Sequence, residues 1–239
     1  MACPGEGYIP EMVETESSKG SERDSRWSYG PDVFTEPDAD TTTLENLGPL
    51  TKLAGVWRSE VGHDEHPVAE GLETDAFVER YELQPIDPQT NGPQLFYGLR
   101  YHAHITKPGE IETFHDQVGY WLWEPAVELV TFTLAIPRGQ VLLASGRASA
   151  DATEFEIHAE LGDGIYGILS NPFLDQNYKT TSFTMRVSTG PGDSWSYEEE
   201  TILEIPGFAS PFNHVDRNTL ARIAPPSPNP LAGGPTLLT

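Results

Sequence analysis

Residues 94–105 read QLFYGLRYHAHI, and this stretch decides the fold class because its hydrophobic pattern repeats every two residues. One face carries Leu95, Tyr97, Leu99, Tyr101, Ala103 and Ile105. The other face carries Phe96, Gly98, Arg100, His102 and His104. Successive side chains of a β-strand point to opposite faces of the sheet. The pattern therefore predicts a strand with one buried and one exposed face.

Eight further segments have the same strand-like character, and short turns rich in Gly, Pro, Asn and Asp separate them. They lie at residues 53–61, 76–83, 111–123, 127–136, 140–149, 153–161, 180–189 and 194–205. The segment HVDRNTLARI near the end instead fits a short helix with Val215, Leu220 and Ile223 facing inward. We therefore predict an all-β fold: a single antiparallel β-barrel of about ten strands around an apolar pocket, with a short C-terminal helix.

The ordered domain is predicted to span residues 44–224. Residues 1–43 are rich in Glu, Asp, Ser, Thr, Gly and Pro and show no lasting periodicity, which indicates an acidic, flexible N-terminal tail. Residues 225–239, PPSPNPLAGGPTLLT, indicate a second tail that is rich in Pro and Gly.

The charge balance argues against several classes of partner. The 37 acidic and 14 basic side chains give a formal net charge of −23, which repels nucleic-acid phosphates and anionic lipid surfaces. No apolar run approaches the roughly 18 residues of a membrane span, and the N-terminus does not resemble a signal peptide. Cys3 is the only cysteine, which excludes an intrachain disulfide and a cysteine-based zinc site. We expect a cytoplasmic protein without nucleic-acid or membrane partners, and the sequence leaves a homodimer open.

Histidines and carboxylates are the remaining candidates for metal binding. His102 and His104 lie two residues apart on one strand, so both point to the same face and can share a metal ion, with Glu110 as a third ligand. The simpler interpretation is that both imidazoles belong to the polar outer face of an antiparallel strand.

Two other histidines stand in positions that suit ligand contact. His115 lies in the segment TFHDQVGYWLW, where a regular strand places Phe114 and Asp116 on one face and His115 and Gln117 on the other. His214 follows a proline-containing loop and precedes the predicted helix, so its ring is expected at the barrel opening. On the residues alone, surface hydrogen bonding and packing remain alternative roles for both histidines.

Several segments read together resemble the nitrobindin family. The stretch FHDQVGYW, followed by VELV, an apolar strand and QVLLASG, is similar to the central strands of that family. HVDRNTLARI resembles its C-terminal segment, and LAGVWRSEVGHDEHP resembles its opening signature, G-x-W-x-G-x-G-x-G-x-Y-P. Gly55 and Trp57 match the signature, and a His-Pro pair stands one residue beyond its Tyr-Pro. The next three glycine positions hold Ser59, Val61 and His63.

The resemblance implies a ten-stranded barrel, shaped like a fatty-acid-binding protein, that holds heme b near its open end. It implies His214 as the axial ligand of the iron and hence as the metal-binding residue. It also implies that Trp57, Phe114 and His115 contact the cofactor, with His115 as the catalytic residue that orients or protonates a bound ligand. Ferric members isomerise peroxynitrite to nitrate, so the implied function is heme binding with peroxynitrite isomerase activity or binding of nitric oxide.

Two alternatives stay open at the level of sequence. In the first, the barrel carries or senses a small hydrophobic ligand without heme, and His214 has only a packing or hydrogen-bonding role. In the second, the protein is a non-heme metal enzyme that uses His102, His104 and Glu110. The sequence alone does not decide whether the protein is an enzyme.

Overall fold

The structure, a computed structural model, describes residues 29–69 and 71–227. These residues form twelve β-strands, one short α-helix and three short 3₁₀ segments. The strands are β1 (Gly55–Val68), β2 (Gly71–Pro85), β3 (Gln89–Asn91), β4 (Gln94–Thr106), β5 (Thr113–Glu124), β6 (Leu129–Ile136), β7 (Gln140–Arg147), β8 (Glu154–Glu160), β9 (Ile168–Ser170), β10 (Lys179–Ser188), β11 (Ser194–Glu204) and β12 (Phe212–Ala224). The helix α1 is Pro172–Asn177, and the 3₁₀ segments are Thr43–Glu45, Gly48–Leu53 and Pro125–Val127.

Ten of these strands close into an antiparallel barrel. The order around the barrel is β2-β1-β12-β11-β10-β8-β7-β6-β5-β4, and pairing of β4 with β2 closes the ring. The two remaining strands are additions, since β3 pairs with β4 and β9 pairs with β7. Each of the nine segments predicted as strands lies on a barrel strand, so the predicted all-β barrel of about ten strands is confirmed.

Strand β4 shows why the period-two pattern was informative. Tyr97, Leu99 and Tyr101 are buried inside the barrel, as predicted for the apolar face. His102 and His104 are on the outer face, where His102 is exposed and His104 is half-buried. Hydrophobic burial on one face fixes the register, because a slip of one residue would exchange the two faces.

The predicted C-terminal helix is wrong, because its residues form strand β12. This strand pairs with β11 on one side and β1 on the other, so its backbone groups are used in the barrel. Its inward positions include three polar residues, namely His214, Asp216 and Asn218, followed by Leu220. The inward face therefore carries no period-two hydrophobic signal, and Ile223, expected to face inward, is 54% exposed.

One end of the barrel is closed by the 3₁₀ segment Gly48–Leu53, which we call the plug. Leu50 and Leu53 of the plug have no exposed surface. The indole of Trp57 is 1% exposed, and its Nε1 donates a 2.7 Å hydrogen bond to the carbonyl of Leu53. Gly48 has a φ of 54°, and a Cβ there would lie 2.5 Å from the ring of Trp123. A glycine is therefore needed where the plug enters the barrel.

The described part of the predicted N-terminal tail lies along the barrel surface. The hydroxyl of Tyr29 hydrogen-bonds to the carboxylate of Glu124, and Gln94 donates to the same hydroxyl at 3.2 Å. The amide of Asp40 donates to the hydroxyl of Tyr97 at 3.2 Å. Residues 1–28 and 228–239, which hold most of the two predicted tails, lie outside the described residues. The domain limits therefore stay predictions.

Candidate functional site

A cavity of about 270 Å³ opens at the end of the barrel opposite the plug. Its walls come from strands β1, β2, β4, β5, β10, β11 and β12, and from Arg138 in the turn between β6 and β7. The lining is mixed: Phe77, Ile105, Phe114 and Met185 are apolar, whereas most of the other lining residues carry imidazole, carboxyl, hydroxyl or amide groups. The predicted apolar pocket is therefore strongly polar in part.

A histidine–aspartate pair spans two neighbouring strands in this cavity. Nε2 of His214 on β12 lies 2.9 Å from Oδ1 of Asp64 on β1, and 3.4 Å from Oδ2 of Asp216. The side chain of Asp64 is only 4% exposed. Nδ1 of His66 lies 2.9 Å from the other oxygen of Asp64. Asp64 is therefore enclosed between two imidazoles.

Each partner of this pair stabilises the charged form of the other. Burial lowers the pKa of His214, but the hydrogen bond from Asp64 and the charges of Asp216 and Asp64 outweigh burial and raise it. Burial raises the pKa of Asp64, but the hydrogen bond and charge of His214, together with the charge of His66, outweigh burial and lower it. Both shifts favour the charged forms of the pair, imidazolium and carboxylate.

His115, predicted as the catalytic residue, lies in the same cavity with both ring nitrogens engaged. The guanidinium of Arg138 donates to Nδ1 at 3.0 Å, so Nε2 carries the proton and donates to Oε1 of Gln117 at 3.1 Å. Burial, and next the charge of Arg138, lower the pKa of His115 to about 4. The ring is therefore neutral at pH 7 in a defined tautomer.

The deeper part of the cavity is acidic. Glu79 accepts hydrogen bonds from the hydroxyl of Tyr197 at 2.9 Å and the amide of Asn218 at 2.6 Å, yet burial raises its pKa to about 7. Burial and the charge of Glu79 raise the pKa of Glu199 to about 8. Burial likewise raises the pKa of Asp216 well above its ordinary value. Several carboxyls thus share a space in which, among the described residues, only Arg138 carries a permanent positive charge.

The other residues predicted for the site are divided between the two ends. Phe114 lines the cavity, and the ammonium of Lys107 lies 5.1 Å from the centre of its ring. Trp57 is not among the lining residues, because it packs beneath the plug with Arg222 4.1 Å from its ring. His102 and His104 lie outside the barrel, where they contact Asp116 at 2.8 Å and Thr113 at 3.1 Å. Among the described residues, they belong to no group of three metal ligands.

A β-bulge in β1 explains the departure from the glycine signature. Ser59 pairs with Glu79 but Gly62 pairs with Phe77, so β1 carries one extra residue between them. Val61 lies in this bulge and is 81% exposed. Beyond the bulge, the even-numbered residues of β1 face inward. Gly62 therefore takes the place of the second of the three glycines that follow Trp57 in the signature. A Cβ at Gly62 would lie 2.1 Å from the ring of Phe77.

With the bulge included, the remainder of the signature also shifts by one residue. Asp64, rather than His63, stands at the third glycine position, and His66-Pro67 coincides with Tyr-Pro. The assignment of Val61 and His63 to glycine positions, which assumed an unbroken strand, was therefore wrong. The carboxylate of Asp64 therefore occupies a position at which the signature has glycine.

Sequence reasoning missed Asp64, Glu79, Glu199, Asp216 and Arg138. Residues 198–200 on β11 are three consecutive glutamates, and the middle one, Glu199, faces the cavity. The available signal was the spacing of two between His214 and Asp216 on a segment that was assigned to a helix. Strand pairing on both sides makes that spacing an inward-facing pair.

Fold and site together define a class, the ligand-binding antiparallel barrels: the interior is packed at one end and opens at the other into a histidine-containing cavity. The profile of the THAP4-like, heme-binding beta-barrel domain matches residues 46–222. The chain belongs to this family, which supports heme as the ligand of the barrel and confirms the predicted kind of family.

The comparison with solved structures shows the same fold. The crystal structure of Rv2717c from M. tuberculosis superposes with a TM-score of 0.52 at 19% sequence identity, covering 77% of this chain and 99% of that chain. No curated protein matches the chain. Within residues 29–69 and 71–227, the helices are too short or too polar to cross a membrane.

The cavity contains the types of side chain that are suitable for binding an iron porphyrin. His214 supplies an imidazole of the type that ligates heme iron in many proteins, and Phe77, Ile105 and Phe114 supply apolar wall. The hydrogen bond between Asp64 and Nε2 of His214 must open before that nitrogen can bind iron. The volume of about 270 Å³ is also slightly below the roughly 300 Å³ at which ligand pockets begin. Heme can therefore reach His214 only if the mouth of the cavity widens.

Proposed function

We propose that this protein binds heme b at the charged end of its barrel, with His214 as the axial ligand. The observation that carries the proposal is the position of His214: it lies inside the family-matched region and directs its imidazole into the cavity opposite the plug. Asp64 holds the ring beside the cavity through a 2.9 Å hydrogen bond. That bond uses Nε2 itself, so it holds the ring in the ligand-free protein and has to open when Nε2 binds iron.

Peroxynitrite isomerisation is the finer part of the proposal. When bound, ferric heme supplies the iron centre at which ferric members of the nitrobindin family convert peroxynitrite to nitrate. His115 carries a hydrogen-bond donor at Nε2, which donates to Oε1 of Gln117 at 3.1 Å and would donate to a bound ligand in its place. Because burial and Arg138 keep His115 neutral, its proposed role is to orient an anionic ligand by hydrogen bonding rather than to protonate it.

Arg138 is the proposed positioning residue for His115. Its guanidinium donates to the carbonyl of Phe114 at 3.2 Å and to Nδ1 of His115 at 3.0 Å. The turn that carries Arg138 is itself fixed, since the amide of Asn171 donates to the Arg138 carbonyl at 2.6 Å. Loss of Arg138 is expected to leave the tautomer of His115 undefined.

A hemin titration followed by absorbance tests the proposal. Wild type should bind one equivalent with a Soret band, and His214→Ala should bind more weakly with a shifted band because the axial nitrogen is lost. His115→Ala is the matched control: a cavity imidazole is removed, and the band should stay near its wild-type position. Equal binding by His214→Ala and wild type would contradict the ligand assignment.

The activity has its own measurement. Stopped-flow absorbance should show faster peroxynitrite decay with hemin-loaded wild type than with free hemin, with nitrate as the product, and His115→Ala should be slower. If hemin binds without acceleration, the binding proposal stands and the isomerase proposal fails. If wild type shows no saturable hemin binding, a heme-free carrier becomes the better function, although the buried carboxyls do not suit a wholly apolar ligand.

A further inference from the structure

We propose that Asp64, His214 and Asp216 form a site for a divalent transition-metal ion that binds without a porphyrin. Among the described residues, these three form a group whose candidate ligand atoms all lie within 4.8 Å of one another. They come from two neighbouring strands, β1 and β12, which pair at Asp64 and Asp216. The backbone ladder therefore fixes their separation independently of any ion.

The distances match a coordination sphere. Nε2 of His214 lies 2.9 Å from Asp64 Oδ1 and 3.4 Å from Asp216 Oδ2. Bonds of about 2.1 Å from zinc to nitrogen or oxygen place neighbouring ligands about 3.0 Å apart in an octahedron and about 3.4 Å apart in a tetrahedron. The two separations from His214 match these values, and the candidate ligand atoms of Asp64 and Asp216 lie within 4.8 Å of each other, so an ion requires little rearrangement of the barrel.

A further observation is the position of His66. Its buried Nδ1 lies 2.9 Å from Oδ2 of Asp64, so a second imidazole faces this carboxylate. An imidazole nitrogen so close to a candidate ligand is positioned to complete or support a metal site. His66 is therefore the candidate fourth ligand or the group that orients Asp64.

The charges around the group also favour a cation. Glu79 and Glu199 line the same cavity as Asp64 and Asp216, and Arg138 is the one lining side chain with a permanent positive charge within residues 29–69 and 71–227. Coulomb attraction is strong where water is partly excluded. A divalent cation would take the place of protons that these crowded carboxyl groups otherwise hold, and would compensate their charge.

The ligand types indicate which ion. Imidazole nitrogen combined with carboxylate oxygen suits Zn²⁺, Fe²⁺ and Mn²⁺, whereas Mg²⁺ and Ca²⁺ prefer oxygen ligands alone. The site uses the same nitrogen of His214 that the proposed function assigns to heme iron. A bound divalent ion and an axial heme bond are therefore mutually exclusive at this histidine, and the metal-ion inference does not depend on heme binding.

The test is a calorimetric titration of ZnCl₂ into the full chain after treatment with a chelator. Wild type should bind one equivalent, and His214→Ala and Asp216→Asn should each weaken binding at least tenfold. The matched control is His102→Ala, which removes an outer-face histidine that also contacts an aspartate, at 2.8 Å, and binding should be unchanged. MgCl₂ should give no saturable binding. Circular dichroism should show that all variants remain folded.

The absorption spectrum of bound Co²⁺ distinguishes a metal ligand from a residue that only supports the fold. Substitution of Co²⁺ should give visible absorption bands characteristic of mixed nitrogen and oxygen ligation, and these should be lost in Asp216→Asn. Absence of stoichiometric Zn²⁺ binding, or binding that is lost in His102→Ala and kept in His214→Ala, would overturn the inference.

A hemin titration with and without Zn²⁺ separates this inference from the proposed function. Hemin binding by wild type together with no Zn²⁺ binding would overturn the metal-ion site and leave the heme proposal standing. One equivalent of Zn²⁺ with no hemin binding supports the metal-ion site and removes the heme proposal. If both bind, Zn²⁺ should suppress the Soret change.

Discussion

The two ends of the barrel interior are built from opposite kinds of side chain. At the plugged end, Trp57 and Trp195 pack edge to face with ring centres 6.4 Å apart, and Leu50 is fully buried against them. At the charged end, Glu79 is buried and Glu199 is half-buried, and both have raised pKa values. Burial of aromatic surface stabilises the fold, whereas burial of carboxyls costs free energy. The plug therefore holds the barrel together, and the charged end uses part of that stability to build a site.

Three tyrosines join the two ends. The rings of Tyr81 and Tyr101 lie 5.3 Å apart in the core, and Tyr81 accepts a hydrogen bond of 3.3 Å from Nε1 of Trp121. Tyr197 directs its hydroxyl to Glu79 at 2.9 Å. Aromatic rings with polar tips suit a boundary between apolar and polar regions, so the change in character occurs over one layer of side chains.

The largest expected effect is at the plug. Trp57→Ala should lower the free energy of unfolding by about 3–5 kcal/mol, because a large cavity replaces the indole and the carbonyl of Leu53 loses its donor. Urea denaturation followed by circular dichroism measures it. Phe114→Ala, at the half-buried wall of the cavity, is the control and should cost much less. A Trp57→Ala variant as stable as wild type would remove the distinction between the two ends.

The second prediction concerns Glu199, where the sign depends on pH. The folded-state pKa of about 8 lies above the unfolded value, so protonation stabilises the fold. That stability is fully present below the unfolded pKa of about 4.3 and is lost as pH rises through about 8. Glu199→Gln does not titrate, so it should exceed wild type by about 2–4 kcal/mol at pH 8 and match it near pH 4.

Glu198→Gln is the control on the opposite face of the same strand. Glu198 forms exposed ion pairs with Arg217 at 2.7 Å and Arg186 at 3.3 Å, and its pKa is lowered. Its loss should therefore lower stability slightly at neutral pH, by about 1 kcal/mol or less. Denaturation of the ligand-free chains across pH 4–8 gives both curves. A flat difference between Glu199→Gln and wild type would contradict the cost assigned to the charged end.

A smaller effect is expected from the N-terminal segment. Removal of residues 1–43 takes away the bonds of Tyr29 to Glu124 and Gln94 but no part of the plug that begins at Gly48. The expected loss is about 1 kcal/mol, or about 2–4 °C in Tm for a chain of this size. Thermal melts of the two chains test this. A drop of tens of degrees would make the segment a third structural region beside the two ends.

The smallest expected effect is a local pKa change. Arg138→Ala should raise the pKa of His115 from about 4, by roughly 1 unit, because a positive charge is removed while burial remains. Nuclear magnetic resonance of the imidazole during a pH titration measures it. Lys107→Ala removes a cation that faces Phe114 instead and should leave His115 unchanged. An unchanged His115 pKa in Arg138→Ala would show that burial alone sets it.

The same contrast explains how much the sequence could predict. Where the interior is apolar, as along Tyr97, Leu99 and Tyr101, period-two patterning identified the strand and its inward face. Where the interior is polar, the pattern failed: His214 and Asp216 occupy inward positions of β12 that carry no hydrophobic signal. Strand pairing that closes the barrel depends on distant residues, so no local pattern could show it.

The candidate site was predicted in part for a related reason. His115, His214 and Phe114 were found through family resemblance, and the structure brings all three into one cavity. Their partners Asp64 and Arg138 come from other strands and turns, and only the closed barrel makes them neighbours. Trp57 matched the signature but belongs to the plugged end, since a signature does not distinguish residues that build the barrel from residues that line its cavity.

The bulge at Val61 determines which later residues of β1 face the cavity. An extra residue in a regular strand would move every later side chain to the opposite face of the sheet. The bulge instead takes up the extra residue, so that the alternation of inward and outward side chains resumes at Gly62. The strand beyond it keeps Asp64 and His66 inside, where an ungapped alignment would have placed His63 and Glu65. Relatives of this chain should therefore be aligned with a gap at this position, since the chemistry assigned to the cavity changes with it.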